Sequence, residues 1–366
     1  MKTYRQRNRR IIGEDKPSCL LITKTTRIRR RLSSMLLPLA LVAVFVLNSG
    51  CSSLPTENLG KPFTLIVLPD TQNYADVRDK WTQKKWGIPD QRSCFYAQTQ
   101  WIKDNSKNLN IVMVAHVGDI VQHDDPEEWK IADKAFKTID HSVPYILSLG
   151  NHDMGCERPG SAHSRETKLN NYFPPSRFET NRLYSYGGSM SSNRSDNYYL
   201  TFKGGAMDFL ILSLELKPRD EALKWANKVI ALHPKHQCIV VTHAYLMKNG
   251  TRYKKIGYDI TGNSGEDIWR KLTSQHENIF MVLCGHTEPN ARLTSRGVKG
   301  NAVHQLLSDF QFEKGGQGYL RIMQFIPKEN RIDVSTYSPV LKHYRTEARE
   351  QFSLELDART MNHNNL

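Results

Sequence analysis

The chain has 366 residues, 39% of them hydrophobic, with 22 Gly and 16 Pro, a composition that excludes collagen-like and low-complexity proteins and suffices for one large domain or two ordinary ones. Its formal net charge of +14 points at first to nucleic acid, but residues 1–50 hold 11 Lys+Arg against 2 Asp+Glu, leaving 40 against 35, a net of +5, for the rest. The excess sits in one terminal segment and argues for targeting, so nucleic acid is not expected as a partner except as a substrate.

In that segment Arg27, Arg29, Arg30 and Arg31 precede a 13-residue apolar run, Met35 to Leu47. A helix crossing a bilayer needs roughly 20 apolar residues, so the run reads as the core of a secretory signal over residues 1–50. Ser49 and Gly50 directly before Cys51 resemble the lipobox of bacterial lipoproteins, in which the cysteine is lipidated and becomes the new N-terminus. Asn48 departs from it, since an aliphatic residue is usual there. The expectation is an exported protein held to a membrane by a lipid on Cys51, facing the periplasm or the cell exterior. Ser52 after the cysteine favours the outer membrane, and an ordinary thiol behind a plain signal or an N-terminal anchor is the alternative.

A polar linker, residues 51–62, leads into a body read as one domain over 63–356, followed by a polar tail, 357–366, expected to be disordered. Five runs rich in Val, Ile and Leu, Phe63 to Leu68, Ile111 to Val117, Val143 to Leu149, Cys238 to Val241 and Ile279 to Leu283, read as buried parallel strands. Helices are expected over Phe95 to Asn105, from Asp125-Pro126-Glu127-Glu128 onward, over Glu221 to Leu232 and over Ser264 to Gln275. Asp125 can cap the second with Pro126 in its first turn, and Asp133 and Lys137 are spaced for an i,i+4 pair.

Strand, helix, strand alternation through residue 150 predicts right-handed βαβ units. Residues 155–197, rich in Gly, Ser, Asn, Arg and Pro, read as a long loop or cap, after which Tyr198 to Lys203 and Met207 to Leu214 form a hairpin. Gly318 to Phe325 and Arg331 to Tyr337 read as antiparallel strands, and Phe352 to Leu356 as the last one. The sum is an α/β protein with two face-to-face β-sheets flanked by helices, an αββα sandwich.

Each of the five apolar runs ends in a polar cluster: Asp70-Thr71-Gln72, Gly118-Asp119, Gly150-Asn151-His152-Asp153, His243, and Gly285-His286-Thr287-Glu288. Ligands collect outside the carboxyl ends of strands in such sheets, so five ends can place oxygens and imidazoles in one crevice. In this order the clusters resemble the calcineurin-like metallophosphoesterase superfamily, over about residues 63–338. Its pattern is Asp-x-His, Gly-Asp, Gly-Asn-His-Asp or Glu, a lone His, and Gly-His-x-His. The second, third and fourth elements are intact here, while the first and fifth depart, the first as an Asp-x-Gln variant.

The resemblance implies the fold named above and two divalent transition ions (Mn, Fe, Zn, Ni or Co) bridged by Asp119. One ion would be held by Asn151, His243 and His286, the other by Asp70 and the positions filled here by Gln72 and Glu288. It implies a phosphohydrolase that cleaves a phosphomonoester or phosphodiester with a metal-activated water, His152 protonating the leaving group and Asp153 orienting its ring. General acid duty suits imidazole, whose unperturbed pKa lies near 6.5.

Both departures fall on one ion. The first site is then rebuilt with oxygen ligands, or of low affinity, or absent from a mononuclear enzyme, with Asn290 a poorer candidate if Glu288 points away. Two readings rival the enzyme: a lipid-anchored binding protein with a degenerate metal site, and an exported nuclease.

His116 reads equally as a support for Asp119 or as a packed strand-end residue, and His123, in a Gln-His-Asp-Asp string, as solvent-exposed. Tyr245, Lys248, Arg252, Tyr253, Lys254, Lys255 and Tyr258 form either a phosphate-gripping segment or a solvated loop. Tyr184, Tyr186, Tyr198 and Tyr199 read mainly as packing. Export places Cys94 and Cys156, both in polar surroundings, where a disulfide between them could brace two loops. Cys238 and Cys284 lie in apolar runs and read as free thiols.

Overall fold

The computed structural model describes residues 60–155, 162–180 and 183–356, so Cys51, Cys156, the signal segment and the tail lie outside the described residues. In chain order the strands are β1 (Phe63–Leu68), β2 (Ile111–His116), β3 (Tyr145–Leu147), β4 (Ser185–Ser189), β5 (Tyr198–Gly204), β6 (Met207–Ser213) and β7 (Gln237–Val241). They continue as β8 (Ile279–Cys284), β9 (Ala291–Arg296), β10 (Ala302–Leu307), β11 (Leu320–Ile326), β12 (Arg331–Ser338), β13 (His343–Arg345) and β14 (Phe352–Glu355). Two seven-stranded sheets result, one ordered β13-β12-β11-β1-β2-β3 with β14 also on β12, the other β4-β5-β6-β7-β8-β10-β9.

Each sheet has a parallel block, β1 to β3 in the first and β6, β7, β8 and β10 in the second. Every residue of β1, β7 and β8 is buried, as expected of strands covered on both faces. On the second sheet the two faces separate with a period of two. Leu210, Leu212 and Val240 pack with Leu223, Ala226 and Ile230 of helix Asp220–Leu232, while Phe209, Ile211, Ile239 and Val241 belong to the core shared with the first sheet.

That shared core is aromatic. The Phe63 ring stacks on Phe325 at 4.7 Å and meets Phe209 edge-on at 5.5 Å, and Phe280 lies 6.3 Å from Phe325. Such pairs add roughly 0.5–1.5 kcal/mol each beyond area burial. Helices Arg92–Asn105 and Pro126–Lys137 cover the first sheet through Phe95 and Phe136, whose rings lie near His116 and Tyr145. Asp125 caps the second of these by accepting from Glu127 N, Pro126 sits in its first turn, and Lys137 Nζ reaches Asp133 at 2.7 Å.

Several elements differ from expectation. The helix after Ser264, with a capping box to Asp267, is regular only over Gly265–Ile268. It widens into a π turn, Trp269–Thr273, because the Ser274 N–H and hydroxyl both close on the Trp269 carbonyl at 3.0 and 2.8 Å. The expected cap loop carries helices Leu169–Tyr172 and Pro175–Glu179 and strand β4. Arg177 pins it by ion pairs to Asp133 at 2.6 Å and Asp140 at 3.0 Å. Cys94 is not in a loop: it is a free thiol on the buried face of helix Arg92–Asn105, where helix packing rather than a disulfide holds it. Cys238 and Cys284 are free and buried as expected. Among the described residues no helix is long and apolar enough to cross a membrane.

Candidate metal centre

The polar clusters follow the carboxyl ends of β1, β2 and β3 in one sheet and of β7 and β8 in the other. His243 Nε2 lies 3.2 Å from each of Asp119 Oδ2, Asn151 Oδ1 and His286 Nδ1. Metal bonds of about 2.1 Å separate neighbouring ligands by roughly 3.0–3.4 Å in octahedral or tetrahedral shells. The spacing and the mixed nitrogen and oxygen donors therefore fit a divalent transition ion. His243 Nδ1 donates to the Val117 carbonyl at 3.0 Å, which fixes the ring and leaves Nε2 turned to the cluster.

Burial would depress His243, but the Asp119 carboxylate and the Val117 carbonyl together raise this imidazole above its ordinary value. Burial and then the neighbouring His243 push His286 down to about 3.

The glycines supply space. A Cβ on Gly150 would lie 2.0 Å from Asp119 Oδ1, and one on Gly285 2.1 Å from Asp70 Oδ1. Gly150 has no positive φ, so close approach rather than a sharp turn requires it. Asp119 (φ 52°) and His286 (φ 84°) both occupy positive φ, at a cost of order 1–3 kcal/mol each, a kind of strain that clusters at functional sites.

His152 stands beside the cluster, its backbone N–H donating to Asp119 Oδ1 at 2.9 Å and its ring Nδ1 to the Gln122 carbonyl at 2.8 Å. Asp153 does not orient this ring. Its oxygens accept from Ile120 N, Val121 N and Gly150 N at 2.8, 3.0 and 2.8 Å, stapling the Asp119 and Asn151 loops together while a backbone carbonyl aligns the histidine.

His116 Nδ1 accepts from Gly118 N, and its Nε2 donates to Thr71 Oγ1, which donates to the Ile120 carbonyl. It braces the backbone around Asp119. His123 is buried, not exposed, with Nδ1 2.9 Å from Glu128 and Nε2 3.2 Å from Asp79. Both ring nitrogens thus already face carboxylates, although Asp76, His123 and Glu128 converge.

The other half of the centre has different contents. Asp70 is buried and accepts the His286 N–H at 3.0 Å. Gln72 Nε2 reaches Asp119 Oδ2 at 3.4 Å and also donates to Gln311 Oε1, while Gln72 Oε1 is buried without a partner among the described residues. Glu288 accepts from Phe312 N at 2.8 Å, and burial followed by the charge of Asp309 pushes its carboxyl up to about 8. Asn290 holds Asp309 N at 2.7 Å and the Glu350 carboxylate, so it builds the loop.

Sequence reasoning missed Asp309, a buried carboxylate just past β10. Its signal was the shared one, a strand-like run ending in aspartate, hidden because His304 and Gln305 interrupt the apolar residues.

The segment after His243 divides by role. The rings of Tyr253 and Tyr258 flank His286 at 5.7 and 5.9 Å. Tyr245 is buried against Thr273, and Arg252 stacks on Trp269 at 3.9 Å and donates to Gln305. Lys248, Lys254 and Lys255 are exposed. Tyr184 and Tyr198 are core residues.

The family model of calcineurin-like phosphoesterases matches residues 63–290, and the chain belongs to that family, whose members use divalent metals. It is 34% identical over 310 residues to the uncharacterized protein YvnB of Bacillus subtilis (strain 168), a match covering 81% of this chain. The same match spans 22% of YvnB, so the chain corresponds to about a fifth of that relative.

Among solved structures, purple acid phosphatase PPD1 from yellow lupin (Lupinus luteus) seeds is similar at 12% identity and a TM-score of 0.49, with 82% of this chain and 55% of that one covered. NAD nucleotidase (NadN) of Haemophilus influenzae is similar at 11% identity and a TM-score of 0.42, covering 76% and 48%.

Proposed function

We propose that the protein is a metal-dependent phosphohydrolase that cleaves a phosphomonoester or phosphodiester, with His152 as proton donor. The observation that carries the reading is the set of three ligand-type atoms 3.2 Å from His243 Nε2. Asp119, Asn151, His243 and His286 would hold one divalent transition ion, with Asp70 and Gln72 available to a second. Bound ions would supply an activated water and charge stabilisation at the phosphoryl oxygens.

The chain's own residues do the rest. The Gln122 carbonyl keeps a proton on His152 Nδ1, which leaves Nε2 to exchange one with the leaving oxygen. Tyr253 and Tyr258 wall the approach to His286. Export and lipid anchoring at Cys51 belong to the same proposal, on the sequence alone, and predict a mature protein whose lipid mass disappears in Cys51→Ser.

The test uses protein stripped by a chelator and reloaded with Mn, Fe, Zn, Ni or Co, assayed on p-nitrophenyl phosphate and bis(p-nitrophenyl) phosphate. Metal-dependent release from at least one is expected, falling about 10²–10⁴-fold in His152→Ala with metal content unchanged. Turnover of neither ester with any metal, or equal rates in His152→Ala, would overturn the reading.

A further inference from the structure

We propose that Asp309, not Glu288, supplies the carboxylate that completes the second half of the metal centre beside Asp70 and Gln72. The inference rests on reading the centre as metal-binding, and it concerns residues outside the superfamily pattern.

Position comes first. β10 runs parallel to β8 with Leu307 opposite Cys284, so Asp309 and His286, each two residues further on, leave neighbouring strand ends at the same level. Asp309 is therefore delivered to the crevice by the same geometry as His286.

Charge comes second. Asp70, Asp119 and Asp309 are each 1% exposed, and among the described residues none of the three forms an ion pair with Lys or Arg. Buried carboxylates without cationic partners are costly, and a divalent ion is the partner that would make the arrangement favourable.

Third, an unsatisfied atom lies within the group. Gln72 Oε1 is buried and unpartnered among the described residues, on a side chain held between Asp119 and Gln311. Gln311 in turn donates to both oxygens of Asp309, through N and Nε2 at 2.9 Å each. Gln311 is thus a positioning residue that fixes Asp309 and Gln72 together, as outer partners fix metal ligands.

Glu288, by contrast, is engaged with Phe312 N, and Asn290 with Asp309 N. The residues at and beside the superfamily's histidine position therefore build the loop that carries Asp309.

Calorimetric titration of the stripped full-length protein with Mn²⁺, bound metal counted by mass spectrometry, tests this. Wild type is expected to take two ions. Asp309→Asn should keep one and weaken the other at least about 10-fold, whereas Glu288→Gln keeps both. A merely structural aspartate would instead leave a less stable protein with both ions bound. If Asp309→Asn cannot be purified, Gln311→Ala decides by weakening the second ion alone.

Two ions of wild-type affinity in Asp309→Asn, or loss of an ion in Glu288→Gln, overturns the assignment. A wild type that takes one ion, lost in His243→Ala, overturns it while the metal reading stands. A wild type that takes none removes both.

Discussion

Around His243 Nε2, one imidazole nitrogen, an amide oxygen and a carboxylate oxygen each lie at 3.2 Å, with the His243 ring fixed by a backbone carbonyl and the loops stapled by Asp153. Around Gln72, the neighbours are the Asp119 carboxylate and Gln311, which in turn holds Asp309, and one amide oxygen is unsatisfied among the described residues. The first half is stiff and nitrogen-rich, the second oxygen-rich and less fully satisfied. Softer nitrogen ligands favour late first-row ions while carboxylate and amide oxygens suit Mn and Mg, so the halves should differ in affinity and in preferred ion.

The largest way to break that comparison is His243→Ala. It removes the nitrogen around which the first half is built and should weaken that ion by more than about 100-fold and abolish hydrolysis, measured as bound metal and turnover. Retention of either would show that the halves are not distinct. Gln72→His gives the second half an imidazole, and there we expect Zn²⁺ affinity to rise by about 10-fold with the first ion unchanged, read by competitive titration.

The smallest effect is on the metal-free protein. Burial raises Asp309 to about 6 and Glu288 to about 8, so between about pH 4 and 8 these two carboxyls hold more protons in the folded state than in the unfolded state. Their contribution is fully present below the unfolded carboxyl pKa and is lost as pH rises through the folded values. In chelator, Tm should therefore fall between about pH 6.5 and 8, above the range in which His286, pushed down to about 3, opposes the carboxyls. Added Mn²⁺ should remove the part due to Asp309, and a flat profile in chelator would mean that the acidic half is not strained.

Much of the site was readable because parallel strands covered on both faces leave continuous apolar runs, so the change to Asp, Asn or His at each end stands out. β10 broke that rule. His304 is buried against Thr294 and the Glu355 carbonyl, and Gln305 is buried against Arg252, so a strand with satisfied polar residues looked like loop, and Asp309 was lost with it. β9, alternating half-buried and exposed residues at the sheet edge, left no apolar run at all.

His123 misled for a related reason. A polar string suggests solvent, yet Glu128 from the following helix returns to bury it. The role of Asp153 was beyond pattern reading, because its three acceptor contacts are to backbone N–H groups, which no side-chain motif records.

The span of the centre along the chain bears on how the protein comes to hold an ion. His243 is oriented by a carbonyl 126 residues away, His286 N reaches Asp70 across 216 residues, and Gln72 meets Gln311 across 239. Contacts of such separation form only after loop-closure entropy has been met elsewhere. His243 and His286 come from the second sheet and Asp119 and Asn151 from the end of the first, so the first half of the centre is complete only once both sheets have docked, and tight capture is a late event.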